Sequence, residues 1–201
     1  MKNKILKIGI TGGIGTGKTL VSKIFGVLGI PVYDADSRAK WISNFHPEVK
    51  KELISLFGEE AYREGKFNSR FIVGEIIKDK AKTEKLNAIV HPRVGEDFAD
   101  WVEKNKDFPY LLKEAALMYE SDSYKTLDKI VVVSAPLELR IKRVLARDTQ
   151  RTEVEVRGIM DKQMSEDEKL KRADFIIYND DQQLVIPQVV ELDKKFRRTL
   201  I

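Results

Sequence analysis

The sequence predicts an α/β fold in which a five-stranded parallel sheet lies between layers of helices. The first observation is a short apolar strand followed by a glycine-rich turn and a helical pattern, over residues 5–28. The second is that four further apolar strand patterns follow, with helical patterns between them, as in a three-layer α/β core. The third is a run of helical patterns over residues 37–107, which we interpret as an insert between the second and third strands.

The turn after the first strand matches the pattern G-x-x-x-x-G-K-[ST] in full. Because glycine lacks a Cβ atom, the backbone can curl and point successive N–H groups at one anion, and the positive end of the next helix adds to that field. Lys18 can neutralise β- and γ-phosphates, and the Thr19 hydroxyl can bind a phosphate-bound Mg²⁺. The motif therefore predicts a nucleoside triphosphate site. Its residues are Gly12, Gly13, Ile14, Gly15, Thr16, Gly17, Lys18, Thr19 and Leu20.

Acidic residues follow the second and third predicted strands. Asp34 and Asp36 come after residues 30–33, and Glu114 lies near the end of residues 110–115. In a parallel sheet the ligand crevice lies at the carboxyl ends of the strands, so these acids should face the glycine turn. We expect one aspartate of the pair to cap the next helix and the other to take part in chemistry. Glu114 is expected to hold Mg²⁺ or its waters.

The insert at 37–107 reads as successive helices, and it is where an acceptor substrate would be held. His91 precedes Pro92, which disfavours helical backbone at His91 and predicts a helix beginning near the proline. The His91 side chain either bridges two helices or contacts substrate. We expect Trp41 and Trp101 to be core residues rather than ligand stackers.

The helix after the fourth strand (residues 130–133) opens an arginine-rich stretch, 140–169, interpreted as a lid. Two patterns, Thr152-x-x-Glu155 and Ser165-x-x-Glu168, predict further helix starts there. The alternative to a lid is a solvent-exposed helix face whose arginines form ion pairs with residues four positions away. A fifth strand is predicted at 173–179, and a last helix from about 187, with Leu200 facing inward. The arginines of the stretch are Arg140, Arg143, Arg147, Arg151 and Arg157.

Composition narrows the class of protein. The 201 residues carry 36 basic and 32 acidic side chains, a net charge of +4 that suits an anionic substrate and is too small and dispersed to indicate nucleic acid. There is no cysteine and there are only two histidines, which excludes disulfides and makes a structural zinc site improbable. No run approaches the roughly 18 apolar residues of a membrane span, and the N-terminal apolar run is too short for a signal peptide. We therefore expect a cytoplasmic protein.

The ordered set of motifs resembles the dephospho-CoA kinase family over nearly the whole chain. Beside the glycine loop, the motifs that carry the resemblance are Asp34-Ala35-Asp36, His91-Pro92, Leu117-Met118-Tyr119-Glu120, Arg143-x-x-x-Arg147-Asp148, Gln163-Met164-Ser165 and Ala173-Asp174 with Asn179. The sequence departs from the family pattern at several positions. Glu114 replaces an aspartate, Asp181 replaces a glycine, and Arg140 replaces a frequent glutamine. Ser69 occupies the position of a family arginine, and Arg70 follows it by one residue.

The resemblance implies ATP-dependent phosphorylation of the ribose 3′-hydroxyl of dephospho-CoA, with Mg²⁺, by a P-loop kinase fold of the nucleotide monophosphate kinase group. The implied parts are a nucleotide-binding core (1–36, 108–139 and 170–201), a helical CoA-binding insert (37–107) and a lid (140–169). The expected partners are the two small-molecule substrates, with no nucleic acid or membrane, and the protein is expected to be a monomer or weak homo-oligomer. By motif position the implied catalytic residues are Asp36, as base, with Lys18 and Arg147. The resemblance implies that Arg147 and Asn179 bind ATP. It implies that the acceptor is bound by Asp36, Arg70, His91 and Arg157. The implied metal ligands are Thr19 and Glu114.

Two alternatives remain at this stage. One is another small-metabolite kinase of the same fold, acting on shikimate, gluconate or a nucleotide. The other is a GTP-dependent switch, although neither N-K-x-D nor D-x-x-G, the strings such proteins usually carry, occurs in the sequence. A purely structural nucleotide-binding module would need neither Asp36 nor an arginine-rich lid.

Overall fold

Five parallel strands form the main sheet, in the spatial order β2-β5-β1-β6-β7, so that the first strand lies at its centre. The computed structural model describes residues 5–198, with backbone alone at Ile77 and Lys80. The strands of this sheet are β1 (Leu6–Thr11), β2 (Val32–Asp34), β5 (Tyr110–Glu114), β6 (Lys129–Ser134) and β7 (Phe175–Tyr178). The five predicted strands are therefore confirmed, and the predicted inward position of Leu200 lies outside the described residues.

Nine helices accompany the strands within residues 5–198. They are α1 (Lys18–Val27), α2 (Ala35–Phe45), α3 (Pro47–Phe57), α4 (Ser69–Lys78), α5 (Lys80–Lys104), α6 (Leu137–Arg147), α7 (Glu153–Met160), α8 (Glu166–Arg172) and α9 (Val185–Arg198). Short 3₁₀ turns lie at Glu59–Ala61 and Ser123–Thr126. Helices α1 and α9 pack together on the sheet, and α8 packs against β6. The predicted three-layer α/β architecture is confirmed.

The core of the sheet lies under α1 and α9. The strand residues at its centre alternate inward at positions such as Ile8, Ile10, Tyr110 and Leu112, all without solvent exposure. Apolar burial of this kind is the main favourable contribution to folding. The other members of the cluster are Val21, Phe25, Ile30, Val131, Val133, Ile177, Val189 and Phe196.

The chain divides into two compact units. One is formed by the residues up to Asp34 together with those from Val102 onward, and the other by Ala35–Trp101. The first unit contains the main sheet. The second contains α2, α3, α4 and most of α5, together with a small antiparallel hairpin.

The hairpin of the second unit was not predicted. Its strands are β3 (Tyr62–Arg63) and β4 (Lys66–Phe67), joined by Glu64 and Gly65, which both have positive φ (52° and 77°). Two adjacent residues with positive φ are typical of the tight turn that matches strand twist. The Tyr62 hydroxyl donates to the Ser43 carbonyl (2.5 Å), which ties the hairpin to α2.

Two expectations about the second unit are wrong. Helix α5 runs without a break through His91 and Pro92, so Pro92 lies in a helix interior rather than a first turn. Proline removes its own N–H bond and crowds the carbonyl four residues earlier, and the remaining interactions of a 25-residue helix can outweigh that local cost. Trp41 is not a core residue, because it is 47% exposed and packs at a tilt against Phe45 on α2, under the guanidinium of Arg38.

Candidate functional site

The phosphate loop lies between β1 and α1, at the centre of the sheet's carboxyl edge. Gly15 and Gly17 have φ of 83° and 91°, in the left-handed region that favours glycine. At Gly17 the space is also closed, since a Cβ atom there would overlap the side-chain amide of Asn179. Helix α1 begins immediately after it, at Lys18, so the positive end of the helix dipole lies at the loop. The loop and helix together form an anion-binding geometry.

Asn179 holds the base of this loop. Its Nδ2 donates to the Thr16 carbonyl at 2.8 Å, and its own backbone carbonyl and Oδ1 accept from the Arg143 guanidinium at 2.9 and 3.3 Å. The residue is 8% exposed. Within the loop, the Thr16 hydroxyl donates to the Gly13 carbonyl at 2.9 Å. Asn179 therefore connects the end of β7 to the phosphate loop.

A small cavity of about 190 Å³ opens against the loop, and its lining is cationic. Lys18, Arg143 and Arg147 contribute the charges, and Thr19 contributes a hydroxyl. Three cations and the helix N-terminus around one cavity favour a polyphosphate. The remaining lining residues are Ile14, Gly15, Gly17 and Val144.

An acidic edge faces the start of α1 from the neighbouring strands. The Thr19 hydroxyl donates to Glu114 Oε1 at 2.7 Å, and Asp34 on β2 is the register partner of Glu114 on β5. No group of three or more His, Cys, Asp or Glu side chains that could hold a metal occurs within residues 5–198. This donor set fits Mg²⁺, which keeps several waters and takes phosphate oxygens beside one or two protein ligands.

Arginines of the predicted lid occupy different positions. Arg143 is fixed by Asn179 and by Asp181, whose Oδ1 accepts at 2.5 Å. Arg147 lines the cavity and pairs with Asp148 at 3.0 Å, and this guanidinium holds the pKa of Asp148 below its usual range. Arg157 lies on α7, where it pairs with Glu153 (2.7 Å) on its own helix. The capping box that starts α7 at Thr152 is confirmed with both of its hydrogen bonds.

Two further side chains contact the phosphate loop: Arg140, which the sequence placed among the lid arginines, and Gln163, to which it assigned no role. Arg140 is 7% exposed, and its guanidinium contacts the phosphate loop and Glu166. Gln163 accepts a hydrogen bond from the loop across 149 positions of sequence. The one available signal was the Gln163-Met164-Ser165 motif, to which the sequence alone attaches no chemistry.

The residues implied at the acceptor and as base lie mostly in the second compact unit. Asp36 is exposed in the first turn of α2, Arg70 is exposed in the first turn of α4, and His91 is exposed on α5. On α2, Arg38 donates to Asp97 of α5 (Nε to Oδ2, 2.8 Å), which joins these two helices. Asp36 follows Asp34, the last residue of β2, by two positions.

Comparison with known proteins supplies the family. The family model for dephospho-CoA kinase matches residues 6–184. A dephospho-CoA kinase of Bacteroides fragilis is 40% identical over 187 residues, which cover 93% of this chain and 91% of the relative. The chain belongs to the dephospho-CoA kinase family.

Solved structures agree with the fold described above. A crystal structure from Thermus thermophilus is 30% identical and has a TM-score of 0.85, with 99% of this chain and 100% of that chain covered. A dephospho-CoA kinase from Campylobacter jejuni is 24% identical with a TM-score of 0.71, covering 97% and 98%, and supports the fold alone. The predicted family, with its kinase class and P-loop kinase fold, is confirmed. Within residues 5–198 no helix has the length and apolar character to cross a membrane.

Proposed function

We propose that this chain transfers the γ-phosphoryl group of ATP to the ribose 3′-hydroxyl of dephospho-CoA. The observation that carries the proposal is the cationic cavity at the phosphate loop, with the Thr19–Glu114 hydrogen bond at its acidic edge. The ribose oxygen forms a bond to the γ-phosphorus, the bond from that phosphorus to the bridging oxygen breaks, and ADP leaves. The hydroxyl proton passes to a carboxylate, for which we propose Asp36.

Each group of the core has one part in this reaction. Lys18 would bind the β- and γ-phosphates, and the first-turn amides of α1 would hold their oxygens. Arg147, which lines the same cavity, would stabilise the charge that spreads over the transferring group. Thr19 and Glu114 would hold Mg²⁺, which when bound neutralises phosphate charge. Asn179, which the family motif implies at the nucleotide, would lie beside the adenine, at the end of β7 and next to the phosphate loop.

The insert between β2 and β5, predicted as 37–107, is the proposed acceptor-binding part, with Arg70 and His91 as contacts to dephospho-CoA. The stretch 140–169 is the proposed lid, with Arg157 meeting the acceptor when it closes and water excluded by closure. A cytoplasmic location and a monomeric or weakly associated state remain predictions.

Asp36→Asn tests the proposed base independently of the nucleotide site. The variant should retain ADP affinity and lose kcat by about 10²–10⁴-fold, because an amide cannot accept the hydroxyl proton. The measurement is a coupled assay for ADP release with dephospho-CoA, ATP and Mg²⁺, beside ADP calorimetry. Asp100→Asn, at an exposed position of α5, is the matched control and should behave as wild type.

Other results would overturn specific parts of the proposal. Near-wild-type turnover of Asp36→Asn would remove Asp36 from the base role. Lys18→Ala should weaken both ADP binding and turnover, and unchanged ADP binding would contradict the phosphate-loop assignment. Faster turnover with shikimate, gluconate or a nucleoside monophosphate than with dephospho-CoA would reject the acceptor.

A further inference from the structure

Ile14, at the apex of the phosphate loop, contacts the α6–α8 region through its side chain, its backbone N–H and its backbone carbonyl. Its side chain packs against the apolar cluster of Ile141, Val144 and Val156. Its N–H donates to Gln163 Oε1 at 2.9 Å, and its carbonyl accepts from Arg140 Nε at 3.0 Å. The apex of the loop is therefore held by α6, α7 and the segment that precedes α8.

The segment that carries Gln163 is itself anchored by Glu120, in the turn that follows β5. Glu120 Oε1 accepts from the Met164 N–H at 2.7 Å, and the Lys169 ammonium lies 3.3 Å from the same oxygen. The Lys169 side chain has no solvent exposure. Breaking a buried ion pair leaves an uncompensated charge and is strongly destabilising. Residues 163–169 therefore have a fixed position beside the phosphate loop.

This arrangement assigns the Ile14 N–H to Gln163. An amide hydrogen makes one strong hydrogen bond, so in this conformation the Ile14 N–H is held by Gln163 and does not point at an anion in the cavity. Glutamine suits the position because its carbonyl is a neutral acceptor on a side chain long enough to reach the loop. Arg140 fixes the carbonyl of the same residue, so the peptide groups on both sides of Ile14 have a defined orientation.

We propose that Gln163 is a positioning residue for nucleotide binding, which holds the apex of the phosphate loop in the conformation that receives the β- and γ-phosphates. It acts through Ile14 and does not itself contact the reacting atoms. The proposal rests on the proposed function only for the identity of the nucleotide and acceptor.

The test is Gln163→Met, which keeps the length of the side chain and removes the acceptor. The Kd for ADP with Mg²⁺, measured by calorimetry, should rise about three- to tenfold, the range that one lost hydrogen bond produces. The KM for ATP should rise by a similar factor, while the KM for dephospho-CoA stays at the wild-type value. A role in stability alone would instead lower the thermal midpoint and the active fraction without this split between the two KM values.

Two variants serve as controls. Gln163→Glu retains an oxygen acceptor of the same reach and adds a negative charge near the Arg140–Glu166 ion pair. Its Kd for ADP should rise less than that of Gln163→Met, because the hydrogen bond to the Ile14 N–H is kept. Gln150→Met makes the same chemical change at an exposed position between α6 and α7 and should have no effect.

Wild-type ADP affinity in Gln163→Met, or a loss in Gln163→Glu as large as in Gln163→Met, would overturn the proposal. If Gln163→Met does not fold, Gln163→Asn, which is too short to reach the Ile14 N–H, should give the same loss of affinity. Should the wild type bind ADP and fail to phosphorylate dephospho-CoA, the proposed function fails. The calorimetry still decides the role of Gln163 in that case.

Discussion

At the scale of single residues, Gly17 has two independent requirements, a φ of 91° and the absence of a Cβ atom beside Asn179. Gly17→Ala should therefore weaken ADP binding at least about tenfold and lower the free energy of unfolding by about 1–3 kcal/mol, as strain and overlap at a special φ do. Calorimetry and urea unfolding measure the two effects.

Gly26→Ala is the matched control for this substitution. Gly26 lies inside α1, and a Cβ atom there meets nothing within 4 Å. Alanine should stabilise the helix by about 0.5–1 kcal/mol and leave ADP binding unchanged. Equal losses in the two variants would show that the loop geometry at Gly17 has no special importance.

Whether a residue of the site could be predicted from the sequence depends on how far away its partner lies along the chain. Gly12–Thr19 could be predicted because strand, loop and helix are adjacent in the chain, and Glu114 could be predicted because parallel strands end at the same edge. Gln163 and Arg140 could not, because their partner Ile14 is 149 and 126 positions away. Asp181 has a φ of 62°, in the left-handed region that glycine adopts readily, and its carboxylate also pairs with Arg143.

At the scale of elements, predictions failed where a local preference competed with a longer structure. The rule for residues before proline predicted a helix boundary at His91, but α5 extends 25 residues and contains Pro92. The strands of the Tyr62–Phe67 hairpin have two residues each, too few for an alternating pattern. The helix starts at Thr152 and Ser165 were predicted because capping is a local signal.

Thr152→Ala tests the start of α7, an eight-residue helix of the proposed lid. Losing the cap should destabilise the helix by about 1 kcal/mol, because the Glu155 N–H loses its acceptor, the Thr152 hydroxyl, while the backbone N–H of residue 152 can still donate to Glu155. Hydrogen exchange of the amides of Glu153–Met160 should be faster by about fivefold. Thr149→Ala, at an exposed position just before, is the control, and equal exchange in both variants would contradict the assignment.

At the scale of the whole molecule, Lys113 makes stability depend on pH. The side chain lies on β5, its residue is 4% exposed, and burial, with Lys7 nearby, lowers its pKa to about 8. The unfolded chain, with the usual pKa of 10.5, binds more protons between pH 8 and 10.5, so the free energy of unfolding should rise with pH across that window. Above pH 10 this rise is opposed by Tyr62 and Tyr119, since burial raises the pKa of each to about 12.

Lys113→Met should remove the rise in the free energy of unfolding between pH 8 and 10. At pH 7 the variant should have a free energy of unfolding about 1–3 kcal/mol higher, because no charge is then buried at this position. Urea unfolding at several pH values measures both. Lys142→Met, an exposed position on α6, should keep the wild-type pH profile. A Lys113→Met profile that still rises from pH 8 to 10 would assign the dependence to other groups.

The order of the main sheet has a consequence for how the protein is made. Of the five strands, the central strand β1 is synthesised first, yet both of its neighbours come from beyond residue 109, and Asn179 secures the turn that follows it. A nascent chain therefore carries its phosphate-binding segment without neighbouring strands until β5 and β6 have been synthesised, whereas Ala35–Trp101 is contiguous and can fold first. A nucleotide can thus stabilise the chain only after these strands have assembled, and it does not assist earlier folding intermediates.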